Sequence, residues 1–411
     1  MIQQLGSTAM DAHPFKIQIP NEQLEDLQNR LHATRWPVSP IQTGWNDGAD
    51  LPFIERLVDY WRDRFDWRAQ EARLNRLPQY VASVNNLDVH FVHQPGTGPA
   101  PLPLIITHGW PGSFIEMERI IPLLTDPSAY GDDPADAFHV VVPSLPGYGF
   151  SQAPTEPGFH SGRIAELWVQ LMRGLGYDRF ACQGGDIGAG VSAWMARLLP
   201  EHVLGVHVNY IPGSYRPPLG SDLPPVTVEE QAFLDKAAAW TATEGAYAHL
   251  QGTKPQTLAY ALTDSPIGLA AWMIEKFRSW SDCDGDVERA FGMDALLTDV
   301  SLYWFTNALT SSSRLYKENR LSPLAFKARE RVSPPVGVAL FPRELPMPPR
   351  SWVARVFDVQ RWTPMPRGGH FAALEEPNLL VQDIRAFFRP MRSRSGSRGE
   401  CEGQVERGIP D

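Results

Sequence analysis

The stretch Arg179-Phe-Ala-Cys-Gln-Gly-Gly-Asp-Ile-Gly188 holds a short apolar run, a Gly-rich turn and the opening of a helix near Ile187. Its centre, Gly184-Gly185-Asp186-Ile187-Gly188, has the small-x-nucleophile-x-small spacing of a nucleophile elbow. There a tight turn between strand and helix lifts one side chain above a parallel sheet, and glycines on either side let the two backbones pass closely. Aspartate, not serine, stands at the nucleophile position. Aspartic acid has a reference pKa of about 3.9, so a carboxylate there needs no base to activate it. It can attack an sp3 carbon and leave an alkyl ester. Epoxides and alkyl halides suit that chemistry better than ordinary esters, and no Gly-x-Ser-x-Gly occurs in the chain.

The partners of such a nucleophile follow in order. Pro103-Leu-Ile-Ile-Thr107 reads as a buried strand that ends in His108-Gly-Trp-Pro-Gly112, with a helix-like segment from Ser113. Ala137-Phe-His-Val-Val-Val-Pro143 is a second strand, ending in Pro146-Gly-Tyr-Gly-Phe-Ser151. Pro335-Val-Gly-Val-Ala-Leu-Phe341 is a third, followed at once by Pro342-Arg343-Glu344, and Arg367-Gly-Gly-His-Phe371 precedes a helical run to Phe388. Asp186, Glu344 and His370 therefore appear as nucleophile, acid and histidine, the chain order of α/β-hydrolases. His370 has no task toward an ionised Asp186. Its expected role is to take a proton from the water that attacks the ester, with Glu344 orienting the imidazole. The 26 residues from Glu344 to His370 leave room for one strand, read as Val353-Ala-Arg-Val-Phe357, after which Asp358 is the alternative acid.

Backbone amides of Ile187 and Trp110 are the expected oxyanion donors, and a cis Trp110–Pro111 bond would help to aim the second. The Trp110 ring either lines the pocket or packs. Glu375 and Glu376 read as first-turn helix charges, while His90, His93 and His108 read as structural.

Around these motifs, 43% hydrophobic and 10% aromatic residues supply a large core. A net charge of −10 argues against nucleic acid as a partner. Cys182, Cys283 and Cys401 have no metal-ligand spacing and form no disulfide framework, so reduced thiols are expected, with no metal and no cofactor. Met1 to Pro20 carries no targeting signature and no membrane-spanning run.

Alternating strand and helix signals from about 78 to 210 and from 333 to 389 indicate an α/β core in two parts. Before it, 1–77 reads as a helical meander with an amphipathic helix Asn21–Leu31 capped by Asn21 and a second helix near Phe53–Phe65. Tyr80–Val84 and Leu87–Val92 form a hairpin across Asn85-Asn86, taken as the antiparallel start of the sheet. Residues 211–332 read as an inserted helical lid with helices Val228–Leu250, Pro266–Trp280 and Ala295–Leu309, and 390–411 as a disordered tail.

His108-Gly-Trp-Pro-Gly112, Gly184-Gly-Asp-Ile-Gly188, Phe341-Pro-Arg-Glu344 and Gly368-Gly-His-Phe-Ala-Ala-Leu-Glu375 resemble the microsomal-type branch of the α/β-hydrolase epoxide hydrolases. The likeness runs from about Pro14 to Phe388 and includes the N-terminal segment of that branch, seen as Asp66-Trp-Arg-Ala-Gln-Glu-Ala-Arg-Leu-Asn75. It implies a mostly parallel sheet with flanking helices, a helical lid, and a meander that packs on the lid. It implies the hydrolysis of a small epoxide to a vicinal diol through an aspartyl ester. It also implies two lid tyrosines as acids, matched by Tyr247 in Ala246-Tyr-Ala-His-Leu-Gln-Gly-Thr-Lys-Pro255 and Tyr316 in Arg314-Leu-Tyr-Lys-Glu-Asn319, with Tyr260 and Tyr303 as rivals. Asp358 comes too late in the chain for the family pattern. The N-terminal anchor helix of membrane-bound members has no counterpart here, so a soluble, cytoplasmic enzyme is expected, with homodimerisation left open. Haloalkane dehalogenase is the alternative enzyme, although its usual tryptophan after the nucleophile is replaced by Ile187. An inactive ligand carrier would be expected to lack one of the three catalytic residues.

Overall fold

The computed structural model describes residues 10–395 apart from 39, 40, 42 and 213. Nine strands, β1 Ala12–Phe15, β2 Gln79–Val84, β3 Leu87–Gln94, β4 Leu102–Thr107, β5 Phe138–Pro143, β6 Phe180–Gly184, β7 Val203–Val208, β8 Val332–Leu340 and β9 Phe357–Pro364, join in one sheet. Their order is β1-β2-β3-β5-β4-β6-β7-β8-β9. Pairs from β1 to β5 through β2 and β3 are antiparallel, and all pairs from β5 to β9 are parallel. This is an α/β-hydrolase fold. β4, β5 and β6 are apolar almost throughout and nearly fully buried, as parallel strands covered on both faces must be. In β7 the alternation assigns the faces. His207 meets Asp383 of the C-terminal helix at 3.0 Å, while Val206 and Val208 face a cavity on the other side.

The register of the parallel strands positions everything that follows. Thr107 pairs with Gly184, Gly184 with Val208, Val208 with Val338, and Val338 with Trp362. These residues form one row across the sheet at the strand C-termini. The connections that leave just beyond this row carry His108–Gly112, Asp186, Glu344 and His370. β5 and β6 lie on opposite sides of β4, so chain direction across the sheet reverses there, where open α/β sheets place their sites.

Helices Val228–Glu244, Ala246–Thr253, Pro255–Leu262, Pro266–Trp280, Val287–Phe291, Met293–Thr306 and Leu309–Leu321 all lie between β7 and β8. The N-terminal helices rest on this insertion. Trp61 Nε1 of helix Leu51–Asp63 donates to Ser301 Oγ at 3.1 Å, and Arg30 of helix Asn21–His32 donates to the Asp264 carbonyl at 2.7 Å. Among the described residues no helix is long and apolar enough to cross a membrane.

Several expectations need correction. The hairpin turn has both asparagines in the left-handed region, Asn85 at φ 50° and Asn86 at φ 62°, as a two-residue turn requires. It does not start the sheet, because β1 pairs outside β2. Ala12-His-Pro-Phe15 carries no strand signal and is tolerated there because Pro14 sits on an edge strand. Pro20, not Asn21, precedes the first helix as its cap; Asn21 Oδ1 instead accepts from Arg68 Nη2 at 2.5 Å. The first inserted helix breaks at Gly245, and helices 255–262 and 309–321 had no separate signal. Val353–Phe357 is not a strand: Arg350–Ala354 is helical and the strand runs from Phe357 to Pro364. The C-terminal helix continues through Pro390 to Ser395, so the start of the expected tail is helical. The rest of that tail, with Cys401, lies outside the described residues.

The segment between β1 and the first helix is tied down by helix Trp67–Leu74. Glu71 Oε2 accepts from the Ile19 amide at 2.8 Å and from Trp67 Nε1 at 3.1 Å. Replacing Glu71 with Ala leaves both donors without an acceptor and should lower the unfolding free energy by about 1–3 kcal/mol. A denaturant midpoint unchanged from the parent protein would show that this tie contributes no net stability.

Candidate active site

Asp186 follows β6 by two residues and opens helix Asp186–Leu198. Its φ of 44° is uncommon for a residue with a Cβ, and the strand and helix that flank it hold it there. The turn is this tight because the backbones touch. A Cβ on Gly188 would run into the Thr107 carbonyl, and one on Gly184 into the Gly188 backbone.

Three loops from the strand row converge on the Asp186 carboxylate. The Trp110 amide, after β4, donates to Asp186 Oδ1 at 2.9 Å. His370 Nε2, after β9, lies 3.5 Å from Asp186 Oδ2. Glu344 Oε1, after β8, lies 2.6 Å from His370 Nδ1 and also accepts from the Leu345 amide at 2.7 Å. The Trp110–Pro111 bond is cis, as expected. Ile187 lies in the first turn of its helix, where amides have no intrahelical acceptor. The ring of His370 is held edge-on by Tyr210 and Trp280, with centroids 5.3 and 5.1 Å away. Burial works against a charged imidazole, but Glu344 on one nitrogen and Asp186 on the other outweigh it. Together they hold the His370 pKa well above its ordinary value. His370 thus has a carboxyl group at each ring nitrogen.

Over Asp186 the inserted helices set an aromatic roof. Tyr247 stacks on Trp110 with centroids 5.3 Å apart and planes 13° from parallel, and the Tyr316 ring meets Tyr247 edge-on at 5.9 Å. The Trp110 ring is thus part of the site as well as packed. Lys276 Nζ lies 4.9 Å from the Tyr247 ring centre. Burial, and then the Asp186 charge, push the Tyr247 hydroxyl well up, with its hydrogen bond to Tyr316 pulling the other way. Burial does the same to Tyr316. Both phenols are therefore protonated donors. They line a mainly apolar cavity of about 570 Å³ with Asp186 and Ile187 at its base and Trp194, Ile211 and Trp240 among its walls. That size and character suit a small apolar ligand.

The rival tyrosines lie elsewhere. Tyr260 is 74% exposed, and Tyr303 donates its hydroxyl to the Gly112 carbonyl at 2.8 Å. Asp358 stands at the start of β9, the end remote from the catalytic row. His108 ties its loop to the one after β5, with Nδ1 donating to the Gly109 carbonyl at 3.0 Å and Nε2 accepting from the Leu145 amide at 3.1 Å. His90 bonds Ser144 and Gln79, and His93 bonds Tyr177. Glu375 does more than charge a helix turn. It accepts from the amides of Phe371 at 2.9 Å and Asp282 at 2.7 Å, tying the histidine loop to the insertion.

Glu116, Gln183 and Asn209 were not singled out in the sequence, yet they wall a second, much smaller cavity that also reaches Asp186 and His370. The one available signal was a carboxylate inside the apolar run Phe114-Ile-Glu-Met117, which a buried segment would not carry without a task.

Known proteins resemble this chain over most of its length. A family profile described as "Epoxide hydrolase N terminus" matches residues 12–117, and one described as "alpha/beta hydrolase fold" matches 103–256. A Stigmatella aurantiaca relative, whose epoxide hydrolase name is provisional, is 45% identical over 93% of this chain and 86% of its own. Epoxide hydrolase 1 of Sus scrofa is 39% identical over 91% of this chain and 88% of its own. The solved structure of Aspergillus niger epoxide hydrolase superposes with a TM-score of 0.82 at 31% identity, covering 94% of this chain and 98% of the other.

Glu344 contributes the largest attraction raising the His370 pKa. A Glu344→Gln variant should titrate His370 at lower pH than the parent protein, because the imidazolium loses that partner. Imidazole proton shifts followed by NMR across pH measure this directly. A midpoint that does not move would mean the 2.6 Å contact orients the ring without stabilising its charge.

Proposed function

The chain belongs to the epoxide hydrolases of the α/β-hydrolase fold, which add water to an epoxide to give a vicinal diol, and we propose that it does so through a covalent ester on Asp186. The observation that carries this reading is the carboxylate at the elbow, with an imidazole 3.5 Å from one oxygen and an amide 2.9 Å from the other. Two protonated phenols line the cavity above it.

In the first step an Asp186 oxygen attacks an epoxide carbon and breaks its C–O bond. Tyr247 and Tyr316 donate to the developing alkoxide, and one phenol gives up its proton to form the hydroxyl. Ester formation removes the Asp186 charge, one of the attractions that hold His370 protonated. The imidazolium proton then restores the phenol, and neutral His370 becomes the base of the second step. Water attacks the ester carbonyl carbon and passes a proton to His370. The amides of Trp110 and Ile187 stabilise the oxyanion. Collapse expels the alkoxide, which takes that proton from His370 and leaves as the diol. The Asp186 carboxyl, with one oxygen from water, then passes its remaining proton to His370 and so regains its charge beside the imidazolium. The site thus uses one histidine as counter-ion and then as base, switched by the charge on its neighbour. Ile187 offers no side-chain donor to a leaving halide, which argues against dehalogenation. We also assign the reaction to the cytoplasm, on the free buried thiols of Cys182 and Cys283, which a reducing compartment preserves.

A His370→Gln variant given styrene oxide should stop at the ester, seen by intact mass as protein plus one substrate and mapped to Asp186. One turnover of the parent enzyme in heavy-oxygen water should label Asp186 and not the diol. Label in the diol with none in the protein would sink the two-step scheme.

The phenols should be partly redundant. Tyr247→Phe and Tyr316→Phe should each slow ester formation by about 1–3 kcal/mol of barrier, the scale of one lost hydrogen bond. The double variant should be nearly inactive in rapid-quench measurements of the same step, and parent-like rates in it would remove both tyrosines from the mechanism.

A further inference from the structure

Two cavities meet at Asp186 and share little else. The large apolar one, about 570 Å³, includes Asp186 but not His370. The small one, about 20 Å³, includes both, and is closed by Glu116, Gln183 and Asn209. A volume of about 10–15 Å³ on this measure holds one water, provided that polar groups receive it. The lining meets that condition. Gln183 is 1% exposed. Its Nε2 donates to Asn209 Oδ1 at 3.0 Å, while its Oε1 is buried without any partner. An orphaned buried acceptor costs stability unless something fills the role of donor.

Glu116 supplies the second group. It stands on the 3₁₀ turn Phe114–Met117, with its carboxyl packed against Gly112 so closely that a Cβ there would collide with it. Burial, reinforced by the nearby Asp299 carboxylate and by Asp186 and opposed by His370, raises its pKa well above the ordinary carboxylate value. A neutral carboxyl both donates and accepts. It also adds no negative charge that would hold His370 protonated when His370 must act as base.

We propose that this small cavity seats the hydrolytic water, with Glu116 as its positioning residue and Gln183 Oε1 as a second acceptor. The inference rests on the two-step reading above. The water then donates toward Gln183 Oε1 and His370 Nε2 and is held by Glu116, which satisfies the orphaned acceptor. Its oxygen adds to the Asp186 carbonyl carbon as the proton passes to His370, and the bond to the alkyl oxygen breaks on collapse. Because this seat is separate from the apolar cavity, a substrate that fills the larger space does not displace the water needed for the second step.

The test separates the half-reactions, with styrene oxide as the probe. Glu116→Ala should form the ester within about twofold of the parent rate and hydrolyse it about tenfold or more slowly, the effect of one lost hydrogen bond. kcat and KM should fall together while kcat/KM holds. Glu116→Gln should recover most of the hydrolysis rate, since a neutral amide also donates and accepts. Gln183→Met, which removes the acceptor at similar volume, should slow hydrolysis alone, and it carries the test if Glu116→Ala does not fold. Parent-like ester hydrolysis in Glu116→Ala or, if that variant does not fold, in Gln183→Met would overturn the proposal. So would a Glu116→Gln that stalls as Glu116→Ala does, or equal slowing of both half-reactions. His370→Gln is the control. Without an ester in that variant the two-step reading itself fails; with one, a failure of the Glu116 and Gln183 variants removes only the water seat.

Discussion

The parallel register from β4 to β9 is the constraint on which the site depends. Backbone pairing from Thr107 through Gly184, Val208 and Val338 to Trp362 fixes the heights at which the strands end. A slip of one residue in any pair would also turn every side chain to the opposite face, exchanging His207 with Val206 and Val208. The loops beyond the row are short between the strand ends and Asp186 and Glu344, so these residues inherit their placement from the backbone ladder. Backbone packing of Gly184 and Gly188 then sets the elbow against β4.

Upon that frame the site is an arrangement of charge in a dry place. His370 is almost fully enclosed, and an isolated cation there would be costly. Carboxylates on both of its nitrogens change the balance in favour of the imidazolium. Above them the phenols stay neutral for the opposite reason, since burial disfavours a second anion near Asp186. Low solvent access therefore assigns different protonation states to neighbouring groups, and removing one charge from Asp186 shifts the preference of its partner.

The insertion and the N-terminal segment reach this centre through hydrogen bonds to the loop after β4. Tyr303 donates to the Gly112 carbonyl and Ser113 donates to Asp299 Oδ1 at 2.6 Å, both across from helix Met293–Thr306. Trp61 holds the same helix at Ser301. The loop that presents the Trp110 amide is thus clamped from the side of the roof, and Glu375 clamps the histidine loop to the end of helix Pro266–Trp280 through Asp282. Roof and base are coupled by these few bonds, so the N-terminal helices support the site although they supply none of its residues.

What the sequence determined by itself was local. The elbow, the His108–Gly112 loop, the position of Glu344 just past an apolar strand and the glycines before His370 are each written in a few consecutive residues, because turn chemistry and short apolar runs act over that range. Helix Pro266–Trp280 was legible end to end for the same reason. Where an element owes its state to distant partners the sequence misled. Ala12–Phe15 is a strand only because β2 offers an unpaired edge. Val353 lies in a short apolar run that fits a helix or a strand equally, and the true strand β9 is more polar because it forms the sheet edge. Only the tertiary structure brought Trp110 to Asp186, 76 residues apart, put Tyr247 and Tyr316 rather than Tyr260 and Tyr303 on the cavity above it, and gathered Glu116, Gln183 and Asn209 around a second cavity at Asp186. Those choices are made by which surfaces exclude water together, and that is a property of packing between segments that no short window of the chain contains.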